Sequence, residues 1–239
     1  MGVHRFSHAL ARAPSPSVVG GLRAIDVGAP DFDGVVREHA AYVRALEEAG
    51  VVVDVLPALD AFPDSIFVED TALTFTGAAI VLWPGAPTRA GEAREITPAL
   101  ERSFDRILRL PHGFVDGGDV LTTPRGVFIG QSARTTADGA RALVALLADI
   151  GLHGIPVTTP RDVLHLKSDC SLLDDETILA TRRLAASGMF KDFRVMHVPD
   201  GEEAAANALR VNDRVLVSDA YPFTAELLAK SYHVVPLAA

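Results

Sequence analysis

A hairpin, a helix and a returning strand recur along this chain. A repeat of that kind restricts it to arrays in which each unit packs on its neighbours. Short apolar or β-branched runs come in pairs around turn residues. Residues 72–75 and 79–83 flank Thr76-Gly77, and residues 120–122 and 127–129 flank Pro124-Arg125-Gly126. Residues 171–173 and 177–179 flank Asp174-Asp175, and residues 208–211 and 215–217 flank Asn212-Asp213. Each pair predicts a β-hairpin. Helices are predicted over 35–49, 93–104, 136–150 and 223–231, the first with Val36, Tyr42, Leu46 and Ala49 near helical spacing. Returning strands are predicted at 51–55, 107–110, 154–157, 194–198 and 233–236, which sets a period of ~40–50 residues. Four hairpins therefore face five helix–strand returns, and the strand around 8–12 lacks a hairpin mate. A closed ring of five units needs one more strand after Ala239. A four-unit array with an irregular start is the alternative.

The length, 239 residues, accommodates one large domain or two small ones. A net charge of −9 lacks the basic signature of nucleic-acid binders and is compatible with a small cationic ligand. Cys170 is the single cysteine, so no intramolecular disulfide forms and a reducing compartment fits. The start, Met1-Gly2-Val3-His4-Arg5-Phe6, lacks the apolar core of a signal peptide, and no apolar run approaches the ~18–20 residues of a membrane span. The expectation is a cytoplasmic protein without membrane or nucleic-acid partners.

Charge is concentrated where the chain ought to be apolar. Asp64-Ser65-Ile66-Phe67-Val68-Glu69-Asp70, Val115-Asp116-Gly117-Gly118-Asp119 and Leu164-His165-Leu166-Lys167-Ser168 set ionisable residues beside residues that favour burial. Burying carboxylates without partners is costly, so such runs mark a site that uses them. They suggest a pocket for a cation, with a histidine for proton transfer. On a strand the adjacent Glu69 and Asp70 face opposite ways, but from a strand end or turn both can approach one pocket. Taken alone, such a pair is more often a solvated strand end, and a histidine between leucines more often a satisfied core residue.

These three segments stand in order with Trp83-Pro84-Gly85-Ala86-Pro87-Thr88-Arg89 and Ile129-Gly130-Gln131-Ser132-Ala133-Arg134-Thr135-Thr136. Together the five resemble the dimethylarginine dimethylaminohydrolase family, within the pentein superfamily of guanidino-group-modifying proteins. The resemblance covers nearly all of 1–239 as a single domain. It implies an α/β fold, a five-bladed α/β propeller of ββαβ modules around a central polar channel, here without its final C-terminal segment. It also implies hydrolysis of an Nω-methylated arginine to citrulline and a methylamine, with no metal and no cofactor. Its setting is arginine metabolism and nitric oxide regulation, and a homodimer is the assembly considered.

The resemblance assigns roles as well. Glu69 and Asp70 are expected to bind the substrate guanidinium, and Asp64 the α-amino group, with a backbone carbonyl near Leu22. Arg89 and Arg134 are expected to bind the α-carboxylate, as planar guanidinium forks do. His165 is the expected general acid and then base, and Asp116 orients it, while Asp119 belongs to the adjoining turn and assists. The family nucleophile is a cysteine near the C-terminus, and Cys170 does not match its position. Three explanations stand: the chain is a shortened form of a longer enzyme with its nucleophile beyond Ala239, a guanidine binder without chemistry, or an enzyme in which Cys170 has taken over. Another guanidino hydrolase, such as an arginine deiminase, is the alternative within the enzyme class, although deiminases carry a helical insertion absent here.

Overall fold

Fourteen strands and five helices alternate through five small sheets, in a computed structural model that describes residues 2–23 and 28–238. Two compact units emerge: Met1–Ile66 together with Lys167–Ala239, and the continuous stretch Phe67–Leu166.

The continuous unit holds two three-stranded sheets. In the first, β3 (Ala72–Phe75) runs antiparallel to β4 (Ala78–Val81), and β5 (Arg106–Arg109) returns parallel to β4 after helix α2 (Glu92–Ser103). The second repeats the plan with β6 (Val120–Thr123), β7 (Gly126–Gln131), helix α3 (Ala137–Asp149) and β8 (Gly154–Thr158). The central strands β4 and β7 have neighbours on both sides and are buried almost throughout, which is why they read as continuous apolar runs. Pro156 lies on β8, an edge strand, where the missing N–H costs no ladder bond. Gly77 takes a φ of 81° at the β3–β4 turn, a conformation that favours glycine. One core joins both sheets to α3 through Leu73, Ile80, Val120, Ile129, Leu143 and Leu147.

The other unit holds three sheets. Strand β1 (His8–Arg12) pairs in parallel with β2 (Val52–Leu56), linked by helix α1 (Phe32–Glu48). Hairpin β9 (Cys170–Asp174) and β10 (Thr177–Ala180) is followed by a four-residue helix, α4 (Arg182–Ala185), and by β11 (Arg194–His197). Hairpin β12 (Leu209–Val211) and β13 (Arg214–Ser218) is followed by α5 (Pro222–Ala229) and β14 (His233–Leu237). Helix α4 has no counterpart in the sequence expectation, because one turn is too short to show a period.

Helix α1 also departs from expectation. Leu46 and Ala49 are buried as their spacing implied, but Val36 and Tyr42 are 40% and 37% exposed. Geometry explains the exposure of Val36: 17 residues of helix extend ~25 Å, whereas the five-residue strands beneath extend only ~17 Å. The early turns overrun the sheet. Among the described residues, no helix is long and apolar enough to cross a membrane.

Candidate active site

In the continuous unit, the repeat carries its acids just before the first strand of each hairpin and its arginines just after the second. Glu69 and Asp70 lie on a single 3-10 turn, Val68–Thr71, ahead of β3. Asp116 caps the turn Gly117–Asp119 ahead of β6. Arg89 ends the turn Pro87–Arg89 beyond β4, and Arg134 follows β7. His165 immediately precedes the turn Leu166–Ser168.

Two close backbone approaches draw these turns together. A Cβ on Gly117 would overlap the carbonyl of Glu69, and one on Gly85 would overlap the carbonyl of Arg134. Only glycine leaves room at either point. Asp70 Oδ1 then accepts the Gly118 N–H at 2.9 Å, and Asp116 Oδ1 accepts the Gly85 N–H at 2.6 Å. The Asp116 N–H donates to Thr135 Oγ1 at 3.2 Å. Donor atoms of Asp70, Asp116 and His165 consequently lie within 4.8 Å of one another.

His165 sits between carboxylates, with 15% of its side chain exposed. Nδ1 lies 3.3 Å from Asp119 Oδ2, and Nε2 lies 3.7 Å from Asp116 Oδ2. Burial pulls the imidazole down, but the Asp119 hydrogen bond and the charges of Asp119, Asp70 and Asp116 outweigh it, and His165 stands above its ordinary 6.5. Asp116 is fully enclosed, and its carboxyl is raised above 3.8 chiefly by burial, with Asp70 adding repulsion. Its Oδ2 has no hydrogen-bond partner among the described residues. An enclosed carboxylate oxygen left open beside a histidine suits a ligand with N–H groups to donate. Arg89 already neutralises Asp70, so the cluster reads as a receptor for a hydrogen-bonding cation more than as a metal ligand set.

The predicted residues are not all alike in this geometry. Asp70, Asp116 and His165 converge. Glu69 shares the Asp70 turn but is exposed. The side chain of Arg134 is 23% exposed, and its Nη1 lies 3.7 Å from Asp116 Oδ2, too far for a hydrogen bond. Arg89, expected to turn a fork toward an α-carboxylate, is 4% exposed and faces inward. Nε contacts both Glu92 oxygens at 3.1 Å, Nη2 reaches Glu92 Oε2 at 2.7 Å and the Phe67 carbonyl at 2.9 Å, and Nη1 pairs with Asp70. The cause is the short step from its turn into α2, which sets Glu92 in the helix's first turn directly against the guanidinium. Asp119 hydrogen-bonds the imidazole at Nδ1 from the end of the turn Gly117–Asp119, while Asp116, expected to orient the ring, faces Nε2 from 3.7 Å.

In the discontinuous unit, Asp64 is buried and accepts the Leu22 N–H at 2.9 Å, so these two predicted residues meet. Cys170 begins β9 with no exposed surface, and burial drives its thiol far up, away from the thiolate a nucleophile requires. The nucleophile expected beyond Ala239 lies outside the described residues. Sequence reasoning missed Glu92 and Ser132 altogether. Ser132 lay inside a marker segment, but Glu92 looked like any acidic residue in a helix's first turn.

No protein-family model matches the chain. A dimethylarginine dimethylaminohydrolase of Pseudomonas aeruginosa is 38% identical over 233 residues, covering 96% of this chain and 91% of that protein. One of Streptomyces coelicolor is 34% identical over 230 residues, covering 94% and 87%. A solved structure of the Pseudomonas aeruginosa enzyme, a cysteine-to-serine mutant complexed with citrulline, superposes with a TM-score of 0.95 at 37% identity, covering 98% of this chain and 92% of that one.

Proposed function

The chain belongs to the dimethylarginine dimethylaminohydrolase family, and from that premise we infer that it serves the hydrolysis of an Nω-methylated arginine to citrulline and a methylamine. The observation that carries this reading is the convergence of Asp70, Asp116 and His165 within 4.8 Å, with an enclosed Asp116 oxygen left open beside the imidazole. A guanidinium is planar, cationic and rich in N–H donors, and such a group matches these acceptors.

The reaction then follows from the groups present. Asp70 and Asp116, with Glu69 on the same turn as Asp70, hold the guanidinium and spread its charge. A cysteine thiolate adds to the guanidinium carbon, and His165, whose cationic form the surrounding carboxylates favour, gives a proton to the departing amine. The neutral imidazole next takes a proton from water, which attacks the same carbon, and the thiolate leaves to release citrulline. Asp116 stabilises the imidazolium through space. We assign the thiolate to a cysteine other than Cys170, because an enclosed, strongly raised thiol cannot take the role. Arg134, partly exposed and 3.7 Å from Asp116 Oδ2 without a hydrogen bond to it, is the candidate for the ligand's carboxylate. Arg89 serves as the internal counter-ion of Asp70.

The test is citrulline release from asymmetric dimethylarginine by protein taken from its natural source, with the intact mass measured on the same sample. Release by a protein heavier than the 239-residue chain supports the reading, and His165→Ala should then abolish it. A heavier protein that binds the compound without releasing citrulline overturns the hydrolase reading in favour of a binding protein. Release by the 239-residue chain itself would overturn the assignment of the thiolate.

A further inference from the structure

Two carboxylates flank His165, and they are not equivalent. Asp119 is fully enclosed at the end of its 3-10 turn, and each of its oxygens has a separate task. Oδ1 accepts the N–H of Leu166, the residue after His165, at 2.9 Å. Oδ2 accepts the Ser132 hydroxyl at 2.6 Å and lies 3.3 Å from His165 Nδ1. One carboxylate thus grips both the imidazole and the peptide that carries it onward, while Ser132 fixes the carboxylate from behind. Asp116 faces the other ring nitrogen from 3.7 Å, outside hydrogen-bond range.

We propose that Asp119 is the positioning residue for His165: it holds the Nδ1–H and leaves Nε2 as the nitrogen that exchanges protons with the substrate. The proposal rests on the hydrolase reading for its purpose, but its chemistry is independent of that reading. An ionised carboxylate only accepts, so the nitrogen it contacts must carry the proton. Neutral His165 is therefore held as the Nδ1–H form, and its open lone pair at Nε2 points toward the region shared by Asp116 and Asp70. Among the described residues, the charged groups acting on the ring are Asp119, Asp70 and Asp116, and Arg134 lies 3.7 Å from Asp116. Of these, Asp119 alone hydrogen-bonds the imidazole. A second ionised group that fixes the ring of a catalytic histidine acts on tautomer and orientation without touching the substrate.

The experiment is long-range proton–nitrogen correlation NMR of the 15N-labelled 239-residue chain, with the His165 resonances assigned by their loss in His165→Gln from among the eight histidines. The wild-type chain should show Nδ1–H when neutral. In Asp119→Asn the Nδ1–H signature should be lost and the imidazole should titrate at lower pH, whereas Asp116→Asn should keep the signature. Asp119→Glu, which retains the charge, should restore it at least in part. An Nε2–H form in the wild-type chain overturns the proposal and needs no variant to fold. So does an unchanged tautomer and titration in a folded Asp119→Asn. Failure to release citrulline strikes only the hydrolase reading, because the tautomer is measured without turnover.

Discussion

Arg89 shows how one residue can be committed before any ligand arrives. Its guanidinium lies between Asp70 and Glu92, and all three are buried. Removing one member of such a set leaves uncompensated charge, which costs ~3–5 kcal/mol. Arg89→Ala should lower urea-unfolding stability by that amount, and a loss below ~1 kcal/mol would mean that the carboxylates find other partners. Asp116 behaves in the opposite sense. Its folded carboxyl stands above 3.8, so the folded state disfavours the ionised form, and stability falls as pH rises from 3.8 through the folded value. Asp116→Asn keeps an acceptor for the Gly85 N–H and does not titrate. Its unfolding midpoint at pH 7 should equal or exceed that of the wild-type chain, while citrulline release falls ~100-fold or more in protein that turns over. A lower midpoint would contradict the assignment. His165 has the sign usual for a partnered histidine. Its contribution is full below 6.5 and is lost as pH rises through the raised folded value.

At the scale of elements, the repeat places an acid before a hairpin and an arginine after it three times over. Asp70 pairs with Arg89 around β3–β4, Asp116 faces Arg134 around β6–β7, and Asp169 binds Arg183 around β9–β10. The first and third pairs are closed, whereas the second is held at 3.7 Å. The same element plan therefore yields structural ion pairs at two positions and an open one beside His165. The loop after β7 is what holds that position. Thr136 caps α3 by accepting the Gly139 N–H at 3.1 Å, and the same oxygen accepts the Phe114 N–H at 3.1 Å, two residues before Asp116. Thr136→Ala should cost ~1–2 kcal/mol in unfolding, at the upper end for a helix cap because two donors lose their acceptor. Thr136→Ser should recover most of it, and equal losses for both variants would rule out the hydroxyl as the cause.

At the scale of the molecule, the catalytic candidates Asp70, Asp116, Asp119 and His165 all belong to the continuous stretch Phe67–Leu166, which owns a core of its own around α3. A fragment of residues 67–166 should therefore unfold cooperatively and retain the Asp119 contact to His165. Circular dichroism during thermal unfolding checks this, and a featureless, non-cooperative melt would show that the core of this unit is insufficient alone.

Much of this was legible in the chain. Alternating apolar runs around Thr76-Gly77 or Asn212-Asp213 can only pair locally, and their periods report strand and helix without reference to distant contacts. The carboxylates and the histidine were visible as charge set among residues that favour burial, and the order of the marker segments pointed to the family. What the chain could not reveal was how those charges share one another. Whether Arg89 turns to a ligand or to Asp70 and Glu92 depends on contacts 19 and 3 residues away in sequence, and the two carboxylates beside the imidazole, 46 and 49 residues before it, differ only as 3.3 Å against 3.7 Å. Local pattern sets which residues lie on which turn. Only the packing of those turns, through backbone approaches open to glycine alone at Gly85 and Gly117, sets which charge finds which partner.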